Sequence, residues 1–459
     1  MTTLATGSAR PAPRPTPLAP RPYHFPRFER ASLANGIRLL VAPVSKAPLV
    51  SITALVEAGA TADPVGRSGL AQLAARLLLE GTERLDGAAL ADGFEMLGAS
   101  IDAHADWDVA ILSLTALTEH IDEAFALAGE VLRTPSFPER EVERLKAERV
   151  ADILQLRTEP RGLADEAFDR FVYAPDSRFA LPAGGTLPDV RAITRDDVQR
   201  FYAARYRPDG LTLVVAGDVS VERATALAER VLGDWRGEPV SYVPTDDRPG
   251  RTTRVVHLVA KGDAPQSELR IGHVGTTRRT SDYFPIVVMN AILGGLFSSR
   301  INLNLRETHG YTYGAFSGFD WRRQAGPFAV STAVKTEVTA DAVREVLHEI
   351  DRMRSAPVEP AELSLATSYL DGVFPIRYET TEAIAAALAN LAIYEMSDDW
   401  FDRYRERVRA VTADDVQQAA QRYLHPDQLQ IVVVGDPAAV RAPLDALGVG
   451  EVEAAKIAD

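Results

Sequence analysis

The chain has 459 residues, 46% hydrophobic and 25% charged, a composition that excludes both a small stapled scaffold and a largely disordered chain. Fifty Lys and Arg stand against 64 Asp and Glu, a net charge of −14 that opposes attraction to phosphate backbones and anionic membranes, so neither nucleic acid nor membrane is expected as a partner. With no cysteine there is no disulfide, thiolate nucleophile or Cys-ligated metal, and any metal would have to be held by His and carboxylates.

Residues 1–24 carry Arg10, Arg14 and Arg21 among prolines, without the apolar stretch of a secretory signal. They read as a disordered Pro/Arg-rich tail, and the chain as cytoplasmic. Asn35-Gly36 then marks a turn before a strand at Arg38 to Val41, and a second strand is predicted at Leu49 to Val56. Ser68 stands where an N-cap belongs, and Leu70, Leu73 and Leu77 share one face of the helix that follows, which ends near Glu80-Gly81. The apolar run Phe284 to Phe297, broken by Pro285 and Asn290, falls short of the roughly 20 residues of a membrane span. Leu305 to Ser317 predicts a helix end at Arg306, a Gly310 turn, and a strand carrying Tyr313 with Tyr311 on the same side.

An internal repeat organises the whole. Residues 193–218 match residues 411–436 at 12 of 26 positions with a constant offset of 218. Each copy opens on a Thr (Thr194, Thr412) before two aspartates that suit a helix N-terminus, and after Pro208 or Pro426 runs into a β-rich apolar strand closed by Gly-Asp. So long a period means duplicated domains rather than a solenoid. The fold expected is α/β: two homologous domains at 25–235 and 252–445, each a mixed β-sheet packed with helices. A Pro/Gly-rich linker at 236–251 joins them, and a tail follows at 446–459.

The segment Gly69 to Thr82 resembles the metal-binding helix of the pitrilysin/insulinase-like zinc peptidases, the inverted His-x-x-Glu-His family. The resemblance extends to Asn35-Gly36, to Leu181-Pro-Ala-Gly-Gly-Thr186 and to Gly294-Gly295…Ser298-Ser299-Arg300, covering about 30 to 436. In that motif two His at i and i+4 ligate zinc while the Glu activates water. Here those positions read Gln72, Ala75 and Arg76, and a guanidinium repels a dication. The region matching the family's third ligand offers Glu148 and Asp152 on one helical face, and none of the eight histidines form an i, i+4 pair. No cofactor is therefore expected in this chain.

The second half keeps what the first has lost. The family contributes there an Arg and a Tyr seven residues apart that contact the substrate backbone opposite the zinc, and Arg306 and Tyr313 have that spacing. Guanidinium and phenol can both donate to a peptide carbonyl and to a developing oxyanion. The resemblance thus implies the non-metal subunit of a peptidase heterodimer, similar to the alpha-type subunit of processing peptidases. It would be inactive alone, with peptides as substrates and a homologous zinc-bearing subunit as partner. The alternative is an inert scaffold subunit of the same fold.

Overall fold

The computed structural model describes residues 21–241, 244–262 and 264–456, so the tail expected over 1–24 lies outside the description up to residue 20. From Arg21 onward the chain is docked: Tyr23 meets Phe374 edge-on at 5.8 Å, and Arg405 donates to the Arg21 carbonyl at 2.9 Å.

The first half builds one six-stranded mixed sheet from β1 (Glu29–Ser32), β2 (Arg38–Pro43), β3 (Leu49–Val56), β4 (Ser100–Ala105), β5 (Ala110–Leu117) and β6 (Leu211–Gly217), in the order β1-β2-β6-β3-β5-β4. The second half repeats it with β7 (Val255–Ala260), β8 (Gln266–Val274), β9 (Ala315–Phe319), β10 (Pro327–Lys335), β11 (Gln430–Gly435) and β12 (Glu451–Ala455), in the order β12-β7-β11-β8-β10-β9. In each sheet the repeat's strand, β6 or β11, pairs parallel on one side and antiparallel on the other. Only the outermost strand differs, β1 antiparallel and β12 parallel. Residues 451–455, which the sequence reading leaves in a tail, thus complete the second sheet.

The repeat explains why these elements form. Thr194 and Thr412 each close a reciprocal capping box with Asp197 and Asp415, satisfying two otherwise orphaned amides at each helix start. The strands that follow are buried along their whole length, because helices cover both faces of each sheet. One face is covered from the same half and the other by exchange. The Thr381–Ile393 helix of the second half lies on β3 and β6, where Ile384 and Leu388 share a core with Leu40, Leu55 and Val214 and where Ser51 and Thr381 hydroxyls meet at 2.8 Å. Reciprocally, the Pro160–Val172 helix lies on β8 and β11, placing Phe168 and Val172 against Val432 and Val434.

The β4–β5 and β9–β10 hairpin tips carry a second matching signature, Asp106-Trp107 and Asp320-Trp321, and they meet between the halves. Arg322 lies over the Trp107 ring at 4.2 Å, and Arg323 forms a two-pronged pair with Glu57 at 2.5 and 2.8 Å. The Arg323 amide donates to Asp108 at 3.0 Å, and burial pushes the Asp108 carboxyl up to about 6. The Tyr283–Thr308 stretch is long and apolar enough by composition to cross a membrane, but 61% of its apolar window is buried and Leu296 interrupts it in an extended conformation. It serves as a core element.

Candidate functional site

The helix at the position of the family's metal motif spans Leu70–Leu77. Its N-cap is Gly69 rather than Ser68, and the capping acceptor comes from farther back: the fully buried Asp63 takes the amides of Gly69 and Ala71, both at 2.7 Å, and pairs with Arg178 at 2.8 Å. Ser68 instead donates its hydroxyl to Asp189 at 2.5 Å. Burial raises the Asp63 carboxyl above its ordinary range, with Arg178 and the two amides pulling the other way. The Leu181–Thr186 segment presses on this helix start backbone to backbone. A methyl on Gly185, whose φ is +82°, would lie 2.1 Å from the Ser68 carbonyl oxygen.

Around this helix the side chains form an organic ion pair instead of a metal cradle. Ala75 is fully buried, and Arg76 donates to Glu148 at 3.1 Å. Glu148, on the Glu139–Thr158 helix, also accepts from Arg144 at 2.6 Å, while Asp152 on the same helix is exposed. Between them stands Arg149, a residue with no counterpart in the sequence reading. Its Nε donates to the Gly184 carbonyl at 2.8 Å, and a methyl on Gly184 would sit 2.3 Å from Arg149 Nη2 and 2.8 Å from Gln72 Oε1, so both side chains lie against that glycine. Burial lowers the Arg149 pKa from its usual value, with Asp152 opposing the shift. Two guanidinium groups, an amide and an alanine do not fit Zn²⁺, which needs deprotonated N, O or S donors. Among the described residues no group of three His, Cys, Asp or Glu is placed to hold a metal ion.

Arg306 and Tyr313 lie in the second half, beside an irregular helical path. A π-type turn at Ala291–Gly295 and another at Leu303–Thr308 flank the short Arg300–Asn302 helix, and Arg306 sits in the second. The path is held from inside. Buried Arg300 grips Glu362 through two bonds of 2.7 and 2.6 Å, and Gly294 lets Ser317 approach where a methyl would lie 2.4 Å from its hydroxyl. Hydrogen bonding to Arg300, foremost, lowers the Glu362 pKa. The Arg306 guanidinium stacks over Phe297 at 4.2 Å, reaches Glu307 at 3.5 Å, and has one buried nitrogen, Nη1, without a hydrogen-bond partner.

Tyr313 is not on a strand. It occupies the loop before β9, 91% exposed, because the Thr312 hydroxyl takes the Gly314 amide at 3.1 Å and Asn302 Oδ1 takes the Ala315 amide at 3.0 Å, so the ladder with β10 starts only at Ala315. Tyr311 turns inward and stacks on His309 at 4.9 Å, away from any shared role with Tyr313. Phe316 is exposed and Phe319 is buried. Arg306 and Tyr313 therefore belong to a segment whose surface also shows Phe297, Leu303 and Phe316, an exposed apolar set of the kind that marks contact surfaces.

Comparison with known proteins places this geometry. A sequence family described as "Peptidase M16 inactive domain" matches residues 192–370, and one described as "Insulinase (Peptidase family M16)" matches residues 40–172, together more than half of the chain. The chain belongs to peptidase family M16. An uncharacterized zinc protease of Streptomyces coelicolor is 22% identical over 432 residues, 92% of this chain and 93% of that one. A non-peptidase homolog of Helicobacter pylori is 24% identical over 339 residues, 72% of this chain and 76% of that one. The crystal structure of a peptidase M16 inactive domain from Pseudomonas fluorescens superposes with a TM-score of 0.84 at 25% identity, covering 89% of this chain and 98% of that one. This M16 chain combines the duplicated fold with a motif helix stripped of its metal chemistry.

Proposed function

We propose that this M16 chain is the non-metal subunit of a two-chain zinc peptidase, with Arg306 and Tyr313 holding the peptide backbone while a homologous partner carries the metal. The observation that carries the reading is the exposure of Tyr313, 91% accessible beside a surface that also presents Phe297 and Phe316. An exposed phenol that makes no side-chain hydrogen bond among the described residues, seven residues along the chain from a guanidinium stacked on an aromatic ring, is free to donate to something outside the chain. The substituted motif helix supports the division of labour, since the chain supplies donors for an oxyanion but no metal ligands.

The test mixes the purified chain with a zinc-bearing M16 subunit from the same cell and assays an unstructured peptide. Neither chain alone should cleave, and the mixture should. Tyr313→Phe should lower kcat by about 10² to 10³ if the hydroxyl supports the transition state, and Arg306→Ala should also weaken substrate binding. Equal turnover by the partner alone, or full turnover with both variants in assembled complexes, would make this chain a scaffold.

A further inference from the structure

A cavity of about 400 Å³ lies between the halves, bounded by the Glu139–Thr158 and Pro160–Val172 helices, the 182–185 segment and the inner parts of β8 and β10. Its apolar wall is Trp107, Ile153, Leu156 and Phe168. The volume is at the small end of the range for ligand sites, suited to a molecule of a few residues.

The charges around this cavity form pairs, with two exceptions. Arg270 is bound to Asp165 at 2.6 Å and to Glu268 at 2.9 Å. Arg322 gives Nε and Nη2 to Asp320 at 2.8 and 2.5 Å, and Glu166 is held by Arg157 at 2.7 Å. Arg149 has no carboxylate within ion-pair distance among the described residues, its one bond going to the Gly184 carbonyl. Asp169 makes no side-chain hydrogen bond or ion pair among the described residues; Arg322 pulls on it electrostatically without closing a contact. Burial accordingly pushes the Asp169 carboxyl up to about 7.

A half-buried cation and a half-buried anion left over in one small, partly apolar cavity are costly unless an external group completes each. We infer that the cavity binds a small zwitterion of the amino-acid or short-peptide class, its carboxylate on Arg149 and its ammonium on Asp169. A guanidinium suits a carboxylate through a forked pair, and a carboxylate suits an ammonium. The apolar wall takes the side chains between them. The site belongs to this chain alone and needs neither partner nor metal, so it stands or falls apart from the subunit reading.

The test is calorimetric titration of the full chain with alanine, dialanine and trialanine, and with N-acetyl-trialanine and trialanine amide. At least one unblocked compound should bind with a Kd below about 1 mM, its length showing whether single residues or peptides are preferred. Acetylation and amidation of trialanine should each weaken binding by about tenfold or more. Arg149→Met should erase the penalty for amidation only, and Asp169→Asn the penalty for acetylation only, in variants whose circular dichroism matches the parent. Absence of binding by every unblocked compound, or equal binding of the blocked and free trialanines to the unaltered chain, overturns the assignment without recourse to any variant.

Discussion

Writing the lost motif back into its helix gives the sharpest test of how far this site has moved from metal binding. In the triple variant Gln72→His, Ala75→Glu, Arg76→His, two imidazoles and a carboxylate return to the Leu70–Leu77 helix, yet their surroundings remain. Loss of the Arg76–Glu148 pair matters little, at most about 1 kcal/mol, since both side chains are 44% exposed. Position 75 is different. Ala75 has no exposed surface, and an unpartnered carboxylate placed there costs about 3–5 kcal/mol.

The larger obstacle to zinc is Arg149, held against Gly184 beside residue 72. For a separation of about 5 Å and an effective dielectric constant of about 20, a guanidinium opposes a dication by roughly 7 kcal/mol, about five powers of ten in affinity. We expect the triple variant to unfold at a lower temperature than the parent and to retain no zinc after dialysis. Adding Arg149→Gln should recover measurable zinc binding. Metal analysis and thermal unfolding on the same samples decide it. About one tightly held zinc per chain in the triple variant, with Arg149 intact, would refute the claim that this guanidinium excludes the metal.

Arg300→Met should destabilise the chain by about 1.5–3 kcal/mol, because it removes the two-pronged partner of the partly buried Glu362, whereas Arg76→Ala should change stability by no more than about 1 kcal/mol; denaturant titration of both gives the contrast. The pH profile of the melting temperature should carry the mark of Asp169. Its folded pKa, about 7, exceeds the ordinary carboxylate value, so the folded state binds more protons than the unfolded one across that interval, and this group's contribution to stability is fully present below about pH 4 and lost as the pH rises through about 7. Asp169→Asn should therefore flatten the decline between pH 5 and pH 8, and parallel profiles for parent and variant would contradict the assignment.

The duplicated frame was legible because its signals are local. The Thr-Asp capping boxes, the prolines that end each helix and the apolar runs that become β6 and β11 all lie within 26 contiguous residues of each repeat. What stayed hidden is non-local. Nothing in the sequence of the Pro160–Val172 or Thr381–Ile393 helix says that its apolar face will lie on the other half's sheet. Helix Leu70–Leu77 takes its capping carboxylate from Asp63, six residues before its N-cap, and Tyr313 misses its strand because a side chain eleven residues earlier, Asn302, claims the Ala315 amide. Arg149 is one charged residue among many on its helix, and only the fold separates it from its neighbours.

The exchange of helices also sets an order on biosynthesis. The last strand of the first sheet, β6, ends at Gly217, but the helix that covers one face of that sheet begins at Thr381 and ends at Ile393. A ribosome adding about 5–20 residues per second needs on the order of ten to thirty-five seconds to make the roughly 180 residues between those two points. For that interval Leu40, Leu55 and Val214 stay open to water or to a chaperone, and the nascent first half is an incomplete object. Cutting the gene at the linker would make that transient condition permanent for both products, since each would keep a helix whose seat is on the other.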